Sequence, residues 1–168
     1  MNGKIKDEKL FLEIIFRNTG ILIKVSNFYA HTKQDREDLI NDMVYELWKS
    51  FGTFKGNSTL STWLYRVALN TAMNYNRKNK RNPVIVFGVP DKEIKPLPWL
   101  AYEEGDSLNL LYEALDELND MDKALILLYL EGRTHEEITS IMGISSTNVG
   151  TRLHRVKKQL KTIINSKE

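Results

Sequence analysis

The sequence predicts an all-α fold: two small helical domains joined by a Pro-containing linker, the C-terminal one a helix-turn-helix. Three observations lead there. Apolar residues recur every three or four positions over most of the chain, and no alternating run of useful strand length occurs. All four prolines, Pro83, Pro90, Pro96 and Pro98, fall within sixteen residues and divide the helical pattern in two. Towards the C-terminus, two helix-start signals flank a glycine.

The 168 residues are 42% apolar and 27% charged, values that exclude a wholly disordered or collagen-like chain. With no cysteine, disulfide frameworks, thiolate metal sites and cysteine nucleophiles are excluded. The apolar stretch from Leu10 to Ala30 is interrupted by Glu13, Arg17 and Lys24, so it does not read as a membrane span. No basic segment, apolar core and small-residue cleavage site open the chain, which points away from secretion and to a cytoplasmic protein. The net charge of +2 conceals an uneven layout. Residues 1–81 hold fourteen Lys and Arg against eight Asp and Glu, residues 82–107 two against five, and residues 108–168 eight against nine. The last nineteen residues alone hold six against one. Basic segments thus close both helical blocks, a layout suited to two contacts with one polyanion.

In the N-terminal block, about 1–81, the first clear helix is Asp35–Phe51. Its apolar stripe is Leu39, Ile40, Met43, Val44, Leu47, Trp48 and Phe51; the other face carries Glu37, Asp38, Asn41, Asp42 and Glu46. Two glycines and small polar residues make 52–58 a loop. A second helix, about 61–79, has the stripe Leu60, Trp63, Leu64, Val67, Ala68 and Ala72, and both Trp48 and Trp63 are assigned to the core. Away from that stripe lie Tyr65, Arg66, Asn70, Asn74, Arg77 and Lys78, and no acid occurs from Val67 to Arg81. Aromatic, amide and cationic groups together offer unpaired bases a π-face, edge hydrogen bonds and a phosphate partner. Phe54, Asn57 and Ser58 in the preceding loop add a small polar pocket. Tyr65 and Tyr75 stand equally as base contacts or as ordinary packing.

Residues 82–107 are acidic and hold every proline, which removes a donor and disfavours helix at the residue before it. The segment reads as a linker, with Trp99 and Leu100 its candidates for local packing. The C-terminal block, about 108–168, gives helices over Leu108–Leu118, Met121–Glu131, Thr134–Met142 and Ser146–Ile164. Thr134 and Glu137 have the capping-box spacing, Gly132 ends the helix before them, and Gly143 permits the turn after them. Ser145 or Ser146 caps the last helix, whose inward stripe is Val149, Leu153, Val156 and Leu160. Thr147, Asn148, Thr151, Arg152, Arg155 and Lys158 remain outside, donors and cations of the kind that read base edges and phosphates in a major groove. A solvated basic face would look similar; the cap, glycine turn and apolar register favour DNA binding. Gly150 sits mid-helix at a cost of about 1 kcal/mol against Ala and suits close approach of backbone to DNA.

Catalysis finds little support. His31, His135 and His154 lie in separate segments without metal-ligand spacing, and the carboxylates of 35–46 are exposed at helical spacing without a pocket. No metal, cofactor or small-molecule substrate is predicted. A stand-alone helix-turn-helix transcriptional regulator explains the C-terminal block but leaves the 35–51 acidic face and the Trp63–Arg81 helix without purpose.

Taken together the blocks resemble the extracytoplasmic-function (ECF) group of bacterial sigma factors. The N-terminal likeness runs through Asp35-x-Glu37-Asp38-Leu39 and Trp48, Phe54-x-Gly56-x-Ser58, then Trp63-Leu64-Tyr65-Arg66-Val67-Ala68-x-Asn70 and Arg77. The C-terminal likeness runs from Leu118 through Glu131-Gly132-x-Thr134-x-x-Glu137-Ile138 to Gly143-Ile144-Ser145 and Val149-x-x-Arg152-Leu153-x-Arg155. It covers nearly the whole chain, in order. The resemblance implies a subunit that binds core RNA polymerase and directs it to promoter DNA. It assigns polymerase docking to Glu37, Asp38, Asn41, Asp42 and Glu46. Capture of unpaired minus-ten bases falls to Phe54, Asn57, Ser58, Tyr65, Arg66, Asn70, Asn74, Arg77 and Lys78. Duplex reading of the minus-thirty-five element falls to Ser146, Thr147, Asn148, Thr151, Arg152, Arg155 and Lys158, while the apolar surface of that domain meets the polymerase flap. It also implies an anti-sigma factor as a partner. The family usually has Gln at Asn41, an acid at Asn74 and commonly Lys at Gly150; the last two departures point to an altered promoter preference.

Overall fold

A computed structural model describes residues 2–81 and 106–167. It contains helices α1 (Asn2–Arg17), α2 (Thr19–Tyr29), α3 (Lys33–Phe51), α4 (Leu60–Arg81), α5 (Asp106–Asp116), α6 (Asp120–Leu130), α7 (His135–Met142) and α8 (Ser146–Lys167), and no strand occurs among the described residues. The all-α expectation holds. The described helices fall into two compact units, α1–α4 and α5–α8. The expected linker, including Trp99 and Leu100, lies outside the described residues, except that Asp106 and Ser107 already open α5.

In the first unit α2, α3 and α4 pack on one another, and α1 lies against α2 and α3. The core is made by Leu22, Val25 and Phe28 of α2, Leu39, Met43 and Leu47 of α3, and Leu64, Ala68 and Ala72 of α4. Those α3 residues sit four apart on one stripe, which is why a helix with so many acids still buries a face. Thr32 starts α3 by accepting the Asp35 amide at 3.0 Å, and Thr59 starts α4 by accepting the Thr62 amide at 3.2 Å. Trp63 is buried as expected. Trp48 is not: it is 42% exposed, at the edge of the stripe, with its ring edge-on to Phe11 at 5.0 Å. The neighbour supplied by α1 covers one side of the indole and leaves the other open.

In the second unit α8 packs on α5, α6 and α7. Every residue of α6 from Asp122 to Leu128 is buried, so this helix is enclosed rather than amphipathic. The capping box at α7 is complete: Thr134 Oγ1 accepts the Glu137 amide at 3.2 Å, and Glu137 Oε2 accepts the Thr134 amide at 2.8 Å. Gly143 closes α7 with φ 69°, a left-handed conformation that a side chain would strain. Ser145, one of the two expected caps, accepts the Asn148 amide at 3.1 Å and starts α8. Val149, Leu153 and Val156 are buried, so the register assigned to α8 is the observed one.

Candidate nucleic-acid and polymerase interfaces

On α4, Arg66, Asn70, Asn74, Arg77 and Lys78 are all exposed, spaced three or four apart along one face. Asn57 is exposed in the loop before α4, Ser58 is half-buried, and Phe54 is half-buried with its ring 5.0 Å from that of Trp63. Tyr65 departs from this set. It is 1% exposed, one of the largest fully buried side chains, and its ring is unavailable to a base. It lies beside Leu64 and one turn from Ala68 and Leu69, all buried, because α4 is covered by both α2 and α3 and its apolar arc is wider than a single stripe. Tyr75 is half-buried, and its hydroxyl donates to Asp35 Oδ1 at 3.0 Å. Burial is the main cause holding its phenol above the ordinary pKa of 10.0; the Asn79 hydrogen bond opposes this and Asp35 adds to it.

A cleft of about 520 Å³ runs between α3 and α4. Asp42, Tyr45 and Glu46 line it from α3, and Asn70, Asn74 and Lys78 from α4. Residues assigned from sequence to two different partners therefore share one depression, acidic on one wall and amide-rich with a cation on the other. Glu37, Asp38, Asn41 and Asp42 are exposed; Glu46 is half-buried and paired with Lys49 at 3.1 Å. On the other side of α3, a groove of about 540 Å³ is floored by Phe11, Leu12, Val44, Tyr45 and Trp48, with Glu8 and Asn41 also lining it. The sequence reading missed this groove. Its signal was the exposure of Trp48 and Tyr45, which only the placement of α1 reveals.

On α8, Ser146, Thr147, Asn148, Thr151, Arg155 and Lys158 are exposed, and Arg152 is half-buried. The two arginines are not free cations. Arg152 Nη2 lies 3.2 Å from Asp122 Oδ1, and Arg155 Nη2 lies 3.2 Å from Asp122 Oδ2. A Cβ built on Gly150 would meet His135 Cε1 at 3.9 Å, an ordinary contact, so nothing inside the fold requires glycine there. Lys157 stands 3.8 Å over the exposed ring of Tyr129, close enough for a cation–π contact. Glu137 is held below the ordinary carboxylate pKa of 4.5, first by the hydrogen bond from the Thr134 backbone and further by Arg133. Among the described residues no three His, Asp or Glu side chains converge as a metal site, and no helix is long and apolar enough to cross a membrane.

Residues 16–82 match the family described as Sigma-70 region 2, and residues 108–160 match Sigma-70, region 4. The ECF RNA polymerase sigma-E factor of Haemophilus influenzae is 25% identical over 175 residues, spanning 94% of this chain and 89% of the relative. The protein of that description from Escherichia coli K12 is 24% identical over 171 residues, spanning 92% and 86%. Among solved structures, the sigma factor RpoE of Bartonella quintana, in complex with the anti-sigma factor NepR, superposes with a TM-score of 0.68 at 20% identity, covering 94% of this chain and 96% of that one. CnrH, in complex with the cytosolic domain of CnrY, gives a TM-score of 0.68 at 16% identity, covering 96% and 91%. These two likenesses bear on the fold.

Proposed function

Since the chain belongs to the sigma-70 family, in its ECF group, we propose that it binds core RNA polymerase and directs it to promoters, with the two helical units taking different parts of one DNA site. The carrying observation is the order of parts: region 2 over α2–α4 with its amide and cation face, then region 4 over α5–α8 with a capped recognition helix. In this reading the α3 face made by exposed Glu37, Asp38, Asn41 and Asp42 and half-buried Glu46 docks on polymerase together with the apolar groove beside it. Asn57, Ser58, Arg66, Asn70, Asn74, Arg77 and Lys78 hold unpaired minus-ten bases and their phosphates, with Phe54 at the border. Ser146, Thr147, Asn148, Thr151, Arg152, Arg155 and Lys158 face the minus-thirty-five duplex.

The physical role is thermodynamic coupling. Opening duplex DNA costs about 1.4 kcal/mol per base step in lost stacking. Surfaces that hold extruded bases offset that cost, and two contacts tethered to one polymerase act at high effective concentration. The sequence has no phosphate loop ending in Gly-Lys-Ser/Thr, and the proposed role is regulatory rather than catalytic. The likeness to RpoE, solved in complex with the anti-sigma factor NepR, supports an anti-sigma factor as a partner, and the cytosolic domain of CnrY bound to CnrH supports a cytoplasmic setting. Run-off transcription with purified core enzyme on a randomised promoter library tests the proposal. The expected result is a selected pair of elements with transcripts that depend on this chain. Failure to associate with core polymerase sinks it, however well the second unit binds DNA.

A further inference from the structure

Asp122 stands outside every surface described above and yet organises one of them. It is the third residue of α6, 1% exposed, and its carboxylate is fully engaged. Asn119, the α6 N-cap, donates from Nδ2 to Oδ2 at 2.7 Å and accepts the Asp122 amide on Oδ1 at 2.9 Å. Arg152 Nη2 approaches Oδ1 at 3.2 Å, and Arg155 Nη2 approaches Oδ2 at 3.2 Å and Oδ1 at 3.4 Å. A buried carboxylate needs such partners, and the first turn of a helix favours negative charge. Burial and capping need only one compensating cation. Here there are two, both from the helix face assigned to duplex reading.

One carboxylate cannot neutralise two guanidinium groups, so the cluster keeps a net positive charge. Each guanidinium carries five N–H donors in a planar fork, and Asp122 occupies only part of each fork. Arg155 remains 60% exposed and Arg152 25% exposed, so donors are left for DNA. The rotamer entropy of two long side chains is lost before DNA arrives, which favours a ligand that fits the fixed pose. Phosphates of arbitrary sequence meet less charge than two free arginines would offer.

We propose that Asp122 is a positioning residue for duplex recognition: it seats Arg152 and Arg155 in one register on α8 and withholds part of their charge from non-specific phosphates. This rests on the reading of α8 as the helix that faces duplex DNA. The test compares the wild-type 168-residue chain, Asp122→Asn and Asp122→Glu by fluorescence anisotropy across a salt series. The probes are a 30-base-pair random-sequence duplex and the minus-thirty-five duplex of a promoter selected with core polymerase.

Asp122→Asn keeps the shape of the side chain and an acceptor for Asn119 but frees the arginines. The expected result is tighter binding to random duplex, with the slope of log K against log salt steeper by about 0.9 for each added phosphate contact. That slope corresponds to roughly eightfold at 0.1 M relative to 1 M salt. The ratio of promoter to random affinity falls by about tenfold. Asp122→Glu keeps the charge and shifts it by one methylene, so the wild-type slope persists while the ratio falls at least about threefold. An unchanged slope in Asp122→Asn, with both duplexes weakened equally, overturns the proposal and leaves Asp122 a folding residue only. If Asp122→Asn fails to fold by far-ultraviolet circular dichroism, the Glu variant decides: an unchanged ratio overturns it. Wild type that shows no promoter preference, with Thr147→Ala and Asn148→Ala also without effect, refutes the duplex reading of α8 itself.

Discussion

Replacing Tyr65 with Ala distinguishes packing from base contact on α4. A buried aromatic side chain removes about 150–250 Å² from water, which at about 25 cal/mol per Å² is worth roughly 4–6 kcal/mol. Alanine retains part of that, so Tyr65→Ala should cost about 3–4 kcal/mol, in the range of other aromatic truncations in cores. Tyr65 is 1% exposed, so nearly all of the ring contributes. Its neighbour Arg66 is exposed, and Arg66→Ala should stay within about 0.5 kcal/mol. Urea unfolding followed by tryptophan fluorescence reads this unit, because buried Trp63 lies in it. With a typical slope of about 1–3 kcal/mol per molar urea, the midpoint should fall by about 1–4 M in Tyr65→Ala and hardly move in Arg66→Ala. A Tyr65→Ala protein with the wild-type midpoint and lost promoter opening would refute the assignment of Tyr65 to the core.

Asn70→Ala should impair open-complex formation more than closed binding, measured by permanganate reactivity, with stability changed by less than about 0.5 kcal/mol; equal loss in both assays would mark Asn70 as a support of the fold. Arg152→Ala should weaken minus-thirty-five binding by about 1–3 kcal/mol and, unlike Thr147→Ala, also lower the melting temperature, because Asp122 keeps its burial and loses a donor. Glu137→Gln should destabilise the second unit by about 0.5 kcal/mol at neutral pH after solvent screening of a side chain that is 42% exposed. The folded carboxyl titrates below 4.5, so its contribution is present above that pH and is lost as the pH falls through the depressed value. The melting difference between the two proteins should therefore close in acid.

The parts of the fold legible from sequence were those decided locally. The Thr134–Glu137 box, the Gly143 turn and the Ser145 cap each depend on residues within four positions, and all are formed. Helix α4 runs from Leu60 to Arg81 and α8 from Ser146 to Lys167, close to the extents expected, because long apolar periods fix direction as well as existence. Helices α1 and α2 are not separable from residue pattern alone. Their junction has neither proline nor a capping box; Thr19 Oγ1 instead donates to the Ile15 carbonyl at 3.0 Å, a bond that leaves little trace in residue pattern. The observed bounds of α5 sit two residues earlier than expected and those of α6 one residue earlier, α6 starting at the Asn119 cap.

The site was legible where a residue's role follows from pointing outward, and illegible where a second helix decides. Asn70, Asn74 and Arg77 are exposed because they oppose the stripe of α4, which periodicity alone predicts. Tyr65 borders that stripe. One packing partner would have left it on the rim, but α4 has two, and the buried arc widens over it. Trp48 shows the converse, since hydrophobicity suggested core while α1 covers only one side of its ring. Asp122 marks the limit of reading along a chain. Thirty and thirty-three positions separate it from Arg152 and Arg155, and no spacing rule links them. Their meeting follows from α6 and α8 packing side by side, so the charge that governs the proposed DNA face is set by tertiary contact rather than by the composition of α8.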